Sequence, residues 1–333
     1  MVENYGLPYT GSKSRIAHWV IDHLPRGRVL IDAFAGGCAI THRALLSQKW
    51  QTIIANDING KYTQLFLDAV SGKYRDERRW ISREDFMRLK SQDAFVACCW
   101  SFGNNLICYM YARDIEPYKR ALHYAIVFDD FAPMQEIMPE VAQAVGDALH
   151  GLKNLHDRRI TAQNIIVKTL KRLTGDNYAH SIIQSNPLYQ KIRHASKDAR
   201  SLERLERLQT LQSLQSLQRL QTLQTLQSLQ KLQSLRVTSQ SYADIDIPDD
   251  AVVYCDPPYN AGEKKLYEGT AKTFDHGAFY DWCVRVSKTN PIFISEYSIE
   301  DERFEIVAEK SKMTSMSSAK SFNVTERLYT VKK

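Results

Sequence analysis

Residues 252 to 260, VVYCDPPYN, end an apolar run with a carboxylate, two prolines, an aromatic ring and an amide. Val252, Val253 and Tyr254 read as a buried strand. Pro257 and Pro258 forbid its continuation, because they lack backbone donors and fix φ. The stiff segment that follows, Asp256-Pro257-Pro258-Tyr259, holds its backbone, its carboxylate and its ring in one arrangement. Open α/β sheets bind ligands at the carboxyl edges of their strands. The stretch therefore predicts an α/β chain with a site at that edge.

The first third of the chain has the same character. In GRVLIDAFAGGCAITHRALLSQ an apolar strand over Val29 to Ile31 leads through the turn Phe34-Ala35-Gly36-Gly37 into a helical pattern carrying Ala39, Leu45 and Leu46. Glycine lets backbone approach a ligand at such a turn, and a new helix N-terminus favours negative charge. The next strand, TIIANDIN, ends at Asp57, 25 positions after Asp32. That is near the spacing at which an acid on the second strand reaches ribose hydroxyls. A nucleoside cofactor is thus indicated, whereas a dinucleotide is disfavoured because the full G-x-G-x-x-G fingerprint is missing. Upstream, in PYTGSKSRI, Tyr9 could stack on a flat ring, Gly11 lets the chain pass close to a ligand and Lys13 could meet a carboxylate. An exposed N-terminal loop is the alternative for this stretch.

Composition narrows the partners. With 333 residues, 44% of them hydrophobic, the chain can bury a large core and form one large and one smaller domain. The net charge of +6 points weakly to a polyanionic partner. The six cysteines lack the paired spacing of zinc ligands, so no metal is expected, and with no signal peptide in view they read as reduced thiols of a cytoplasmic protein. No run of about 18 apolar residues occurs, so no membrane span is expected.

A repeat breaks the pattern. From Leu202 to Leu235 leucine recurs every third residue, usually followed by Gln. Three residues advance about 300° on an α-helix, so over a long run the leucines spiral round all faces. A period of three suits a 3₁₀-like or extended turn, or a small solenoid with leucine inside. The expectation is a solenoid-like or mixed helical projection over 201–235.

Together these pieces resemble the Dam-like, D12-class DNA adenine-N6 methyltransferases. The matching residues are Tyr9, Gly11 and Lys13; Asp32 with Phe34, Ala35, Gly36 and Gly37; Asn56-Asp57; and Asp256-Pro257-Pro258-Tyr259, with FISEYS (293–298) and ERLYT (326–330) as a late and a closing strand. SFGNN resembles a stretch of phage-borne members. The resemblance implies a doubly wound, Rossmann-like methyltransferase domain over 1–80 and 236–333, a helical target-recognition region over 81–200, S-adenosyl-L-methionine as cofactor and double-stranded DNA as substrate, in a monomer or weak oligomer. It gives Lys13 and the Phe34–Gly37 turn the methionine part of the cofactor. Asp57 takes the ribose, and Tyr242 packs on the cofactor's adenine, although Ser241 stands where relatives carry an acid. Asp256 and the Pro257 carbonyl accept the hydrogens of the target amine, and Tyr259 stacks on the flipped base. Phosphates need cations and base edges need amides and guanidiniums, so Asn104, Asn105, Lys153, Arg158 and Arg159 are the candidate DNA contacts; a solvated helix face is the alternative for each. Two rival readings stay open: methylation of cytosine N4, and a catalytically silent DNA-binding protein assembled through its repeat.

Overall fold

The computed structural model describes residues 4–174, 212–231, 233–259, 274–315 and 321–333. Seven strands form one sheet: β1 (Gly27–Asp32), β2 (Trp50–Asn56), β3 (Ser234–Thr238), β4 (Val252–Cys255), β5 (Ile292–Glu296), β6 (Phe304–Ser315) and β7 (Ser321–Val331), in the order β3-β2-β1-β4-β5-β7-β6. β1 to β5 are mutually parallel, and β7 runs antiparallel to both β5 and β6. β1 and β4 are neighbours, with Ile31 opposite Val253. From that pair the chain order runs outward in opposite directions, and a crevice for ligands opens at such a reversal, beyond the carboxyl ends of the strands.

The apolar runs form strands here because both of their faces are covered. All of Val252–Cys255 is buried, as parallel strands in the middle of a sheet require. Val253, Cys255, Ile31 and Ile294 share a core with Phe279, Trp282 and Cys283 of the helix His276–Val286. Each such aliphatic side chain contributes about 1.5–3 kcal/mol on burial. Asp275 starts that helix by accepting a hydrogen bond from the Ala278 amide, an N-cap worth about 1 kcal/mol. All six cysteines are free, and all except Cys108 are buried.

The chain divides into two compact units, residues 1–75 with 220–333, and residues 76–219. The first holds the sheet. The second is helical over its described residues, from Arg83–Leu89 to Leu155–Thr174, with one isolated antiparallel bridge, Ser101 to Tyr109. Its core gathers Trp80, Trp100, Tyr111 and His123, with Trp80 stacked on Tyr111 at 5.7 Å. Burial drives the His123 imidazole down to about 4, so it stays neutral, with Nε2 bonded to the Arg78 carbonyl.

Over its described part the repeat forms two kinds of helix with its leucines buried. Gln212–Thr222 is an α-helix and Leu223–Lys231 a 3₁₀ helix, and Leu214, Leu217, Leu220, Leu223 and Leu226 are all buried. This change of helix type accords with the mixed helical alternative of the sequence reading. Each three-residue step turns back by about 60° on an α-helix, so Leu214, Leu217 and Leu220 span an arc of only about 120° and stay on one face. The helix then tightens to three residues per turn, and the remaining leucines align. The glutamines serve the fold too. Gln221 Nε2 donates to the carbonyls of Tyr74 and Arg75, Gln224 Oε1 accepts from Arg75 Nε, and Gln233 Nε2 donates to the Trp50 carbonyl. Repeat residues before 212 lie outside the described residues.

Candidate active site

Strand β4 delivers Asp256 to the carboxyl edge of the sheet. Lys13 comes to it from the 3₁₀ turn Lys13–Arg15, which Ser12 caps by accepting from the Ser14 amide, just after Gly11 at φ +81°. Lys13 Nζ lies 2.8 Å from Asp256 Oδ1 and 3.6 Å from Glu326 Oε1. It also sits 4.3 Å from the centre of the Tyr259 ring. Burial alone would lower the Lys13 ammonium, but Asp256 and Glu326 outweigh it and its pKa is raised, so the charge is held. The Tyr259 phenol donates to Glu326 Oε1, and its ring meets Tyr297 edge-on at 4.5 Å. Burial pushes that phenol well above its ordinary pKa, so it remains a donor.

The β1 turn forms the adjoining wall. Asp32 is 1% exposed; its Oδ2 accepts from the Thr41 amide at 3.1 Å and the Thr41 hydroxyl at 2.7 Å, while Oδ1 has no hydrogen-bond partner. Burial, with smaller pushes from Asp256 and Asp57, raises this carboxyl to about 7. Asp32 therefore feels the charges of both Asp256 and Asp57. Asp57 holds the turn: its Oδ2 accepts from the Gly36 amide at 2.9 Å and its Oδ1 from the Asn59 amide at 2.8 Å, and burial raises its pKa. Asn56 ties the turn to β3 by donating to the carbonyls of Ala33 and Gln240, and the Ala35 amide donates to the Asn56 carbonyl.

The N-terminal segment lies directly on this turn. A Cβ at Gly37 would stand 2.6 Å from Tyr9 Cβ, and one at Gly6, whose φ is +69°, would strike the Gly37 carbonyl. The Leu7 amide donates to that carbonyl at 2.7 Å, and Tyr9 packs edge-on against Tyr62 at 5.1 Å. Phe34 faces Tyr242 at 5.5 Å, with Phe274 and Phe279 around the pair. Ser241 caps the turn Tyr242–Asp244 by accepting from the Ala243 amide. The structure thus brings Tyr9, Gly11, Lys13, Asp32, the Phe34–Gly37 turn, Asp57, Tyr242, Asp256 and Tyr259 into the sheet unit around the ends of β1 and β4.

The basic segment needs a correction at Arg158. This side chain is 9% exposed, and every nitrogen of its guanidinium donates within the fold: Nε to the Ile126 carbonyl, Nη1 to those of Leu149 and Leu152, Nη2 to Ala125 and to Asp129 Oδ1. It satisfies the carbonyls at the ends of the helices Glu116–Phe128 and Pro139–Leu149 and has no donor left for a phosphate. Arg159 donates through Nε to Gln218 Oε1, and Lys153 is exposed. Asn104, at φ +56°, donates to the Cys98 carbonyl. Asn105 Oδ1 accepts from the amides of Ile107 and Cys108, so both amides are engaged in shaping their own loop.

Sequence reasoning missed Glu326. It stands on β7, is 0% exposed and joins Lys13 to Tyr259. The available signal was the alternation of the strand, which puts Glu326 on the same side as Leu328, itself fully buried. Among the described residues no group of histidine, cysteine and acidic side chains could hold a metal, and no helix is long and apolar enough to cross a membrane.

A model of the D12 class N6 adenine-specific DNA methyltransferase family matches residues 9–125. No curated protein matched the chain. The family match contains Tyr9, Lys13, Asp32, the Phe34–Gly37 turn and Asp57 but stops well before Asp256. The pairing of β1 with β4 and the 2.8 Å ion pair between Lys13 and Asp256 join the matched segment to the Asp-Pro-Pro-Tyr segment. Over residues 9–125 the chain is therefore similar to the D12 class of N6 adenine-specific DNA methyltransferases.

Proposed function

We propose that the chain transfers the methyl group of S-adenosylmethionine to N6 of an adenine turned out of double-stranded DNA, within a doubly wound, Rossmann-like domain. The observation that carries this is the meeting of Lys13, Asp256 and Tyr259 beside the β1 turn, where the sheet order reverses. The site fits the cofactor on chemical grounds. A cationic amino acid group and ribose hydroxyls need acceptors, and the wall supplies Asp57 and the buried, unpartnered Oδ1 of Asp32. The aromatic group of Phe34 and Tyr242 supplies a flat apolar face for a purine. When bound, the sulfonium supplies an electrophilic methyl carbon.

The residues of the chain supply the rest. The lone pair of an adenine N6 amine is delocalised into the ring. Acceptors on its two hydrogens return density to nitrogen. Asp256 and the Pro257 carbonyl are those acceptors, fixed in direction because Pro257 and Pro258 limit the backbone. Nitrogen would form its new bond to the methyl carbon as the carbon–sulfur bond breaks with the electron pair staying on sulfur, and the amine proton would pass to the Asp256 carboxylate and from there to solvent. Tyr259 offers its ring to the extruded base, compensating for lost stacking. Lys13 holds Asp256 in place before the target amine arrives.

Asp256→Asn tests the assignment in a single-turnover assay, with N6-methyladenine and N4-methylcytosine both measured in the product. The rate should fall by a factor of about 100 or more while duplex binding survives, because most DNA affinity comes from phosphate contacts. Near-normal turnover, or methylcytosine as the product, would overturn the reading.

A further inference from the structure

We propose that Glu326 is the positioning residue of this site, holding Tyr259 in its stacking orientation and keeping Lys13 in place when Asp256 turns to the target amine. The inference rests on the methyl-transfer reading above and assigns a role to a residue outside the matched segment and outside the Asp-Pro-Pro-Tyr segment.

In the structure Asp256 Oδ1 is bonded to Lys13, 2.8 Å away. An oxygen held by an ammonium is a weaker acceptor for an amine hydrogen, so the reaction is favoured if Lys13 can shift its weight to another anion. Glu326 Oε1 stands 3.6 Å from the same Nζ, close enough to take that contact with a small side-chain movement. Without it, a lysine side chain only 11% exposed would either cling to Asp256 or stand unpaired, and an unpaired buried charge costs several kcal/mol. The same carboxylate accepts the Tyr259 phenol. That bond, with Tyr297 against the ring edge at 4.5 Å, fixes the plane on which a base would stack. Glu326 itself has little freedom. It is fully buried on β7, whose neighbouring residues Arg327, Leu328 and Tyr329 are registered against β5.

The test uses the full chain and two substitutions that preserve volume. Glu326→Gln keeps an oxygen for the phenol but removes the charge offered to Lys13; Tyr259→Phe keeps the ring and removes the phenol. Glu326→Gln should lower the single-turnover rate about tenfold, an estimate for one preorganised electrostatic contact, with KM for DNA little changed. In duplexes carrying 2-aminopurine at the target position, Tyr259→Phe should alter the fluorescence of the extruded base. Glu326→Leu removes the acceptor for the phenol as well, so combined with Tyr259→Phe it should lose less than the product of the two single effects. Glu326→Asp, which keeps the charge on a shorter arm, should recover part of the rate lost in Glu326→Gln. An unchanged rate in Glu326→Gln, or effects that multiply independently with no recovery in Glu326→Asp, would overturn the proposal. Failure of the methyl-transfer reading looks different, because Asp256→Asn would then leave turnover intact.

Discussion

Asp32 gives a pH dependence that can be worked out in advance. Its carboxyl is raised to about 7 in the folded chain, chiefly by burial, and one oxygen has no hydrogen-bond partner. An unfolded aspartate titrates near 3.9. Between these values the folded state binds the extra proton, so stability is greatest at low pH and falls as pH rises through the window from about 4 to about 7. At 1.36 kcal/mol per pH unit, integration from pH 5 to pH 8 gives a loss of roughly 2–3 kcal/mol from this one group. Asp32→Asn abolishes the titration while its amide oxygen can still accept from Thr41. The assay is urea unfolding of both proteins at pH 5 and pH 8, followed by tryptophan fluorescence, since Trp50 and Trp282 are buried in the sheet unit. The stability of Asp32→Asn relative to the unaltered chain should rise by about 2–3 kcal/mol between the two pH values. Parallel curves would show that Asp32 is ionised normally in the fold, and the argument from its burial would fail.

The remaining predictions concern the repeat and the basic segment. Leu223→Ala should lower stability by about 2–5 kcal/mol, as for other buried leucines, and deleting 212–231 should abolish folding of the sheet unit; a folded deletion variant would show that this segment is dispensable. Lys153→Ala should reduce the salt slope of DNA binding by about 1 if Lys153 meets a phosphate. Arg158→Met should instead destabilise by about 3–5 kcal/mol, because it leaves the buried carbonyls of Ala125, Ile126 and Leu149 without their donor, at about 1–3 kcal/mol for each unsatisfied group. A stable Arg158→Met protein with a lowered salt slope would return Arg158 to the DNA surface.

The central strands were legible because their signals are local. Val252–Tyr254 and Val29–Ile31 are apolar runs stopped by prolines and by a glycine-rich turn, and both became strands, as did the late segment beginning at Phe293. Asp57 was legible as a residue near the turn, but its bonds to the Gly36 and Asn59 amides depend on how β1 and β2 pair. Arg158 was misread because a guanidinium in a run of basic residues looks the same whether it faces solvent or the ends of two helices. Glu326 was missed for a related reason. It meets Lys13 only because β7 pairs beside β5 and the N-terminal segment lies across the β1 turn, and no local pattern encodes contact between residues so far apart in the chain.

The change from α-helix to 3₁₀ helix at Leu223 bears on how this gene segment could vary in length. Inserting one Leu-Gln-x unit into the 3₁₀ part adds one full turn, about 6 Å, and leaves every later leucine facing as before. The same insertion in the α-helical part adds about 4.5 Å and rotates everything beyond it by about 60°, so the later leucines leave their buried face. Copy-number drift should therefore be tolerated, if anywhere, on the β3 side of Leu223, with the α-helical side kept at constant length.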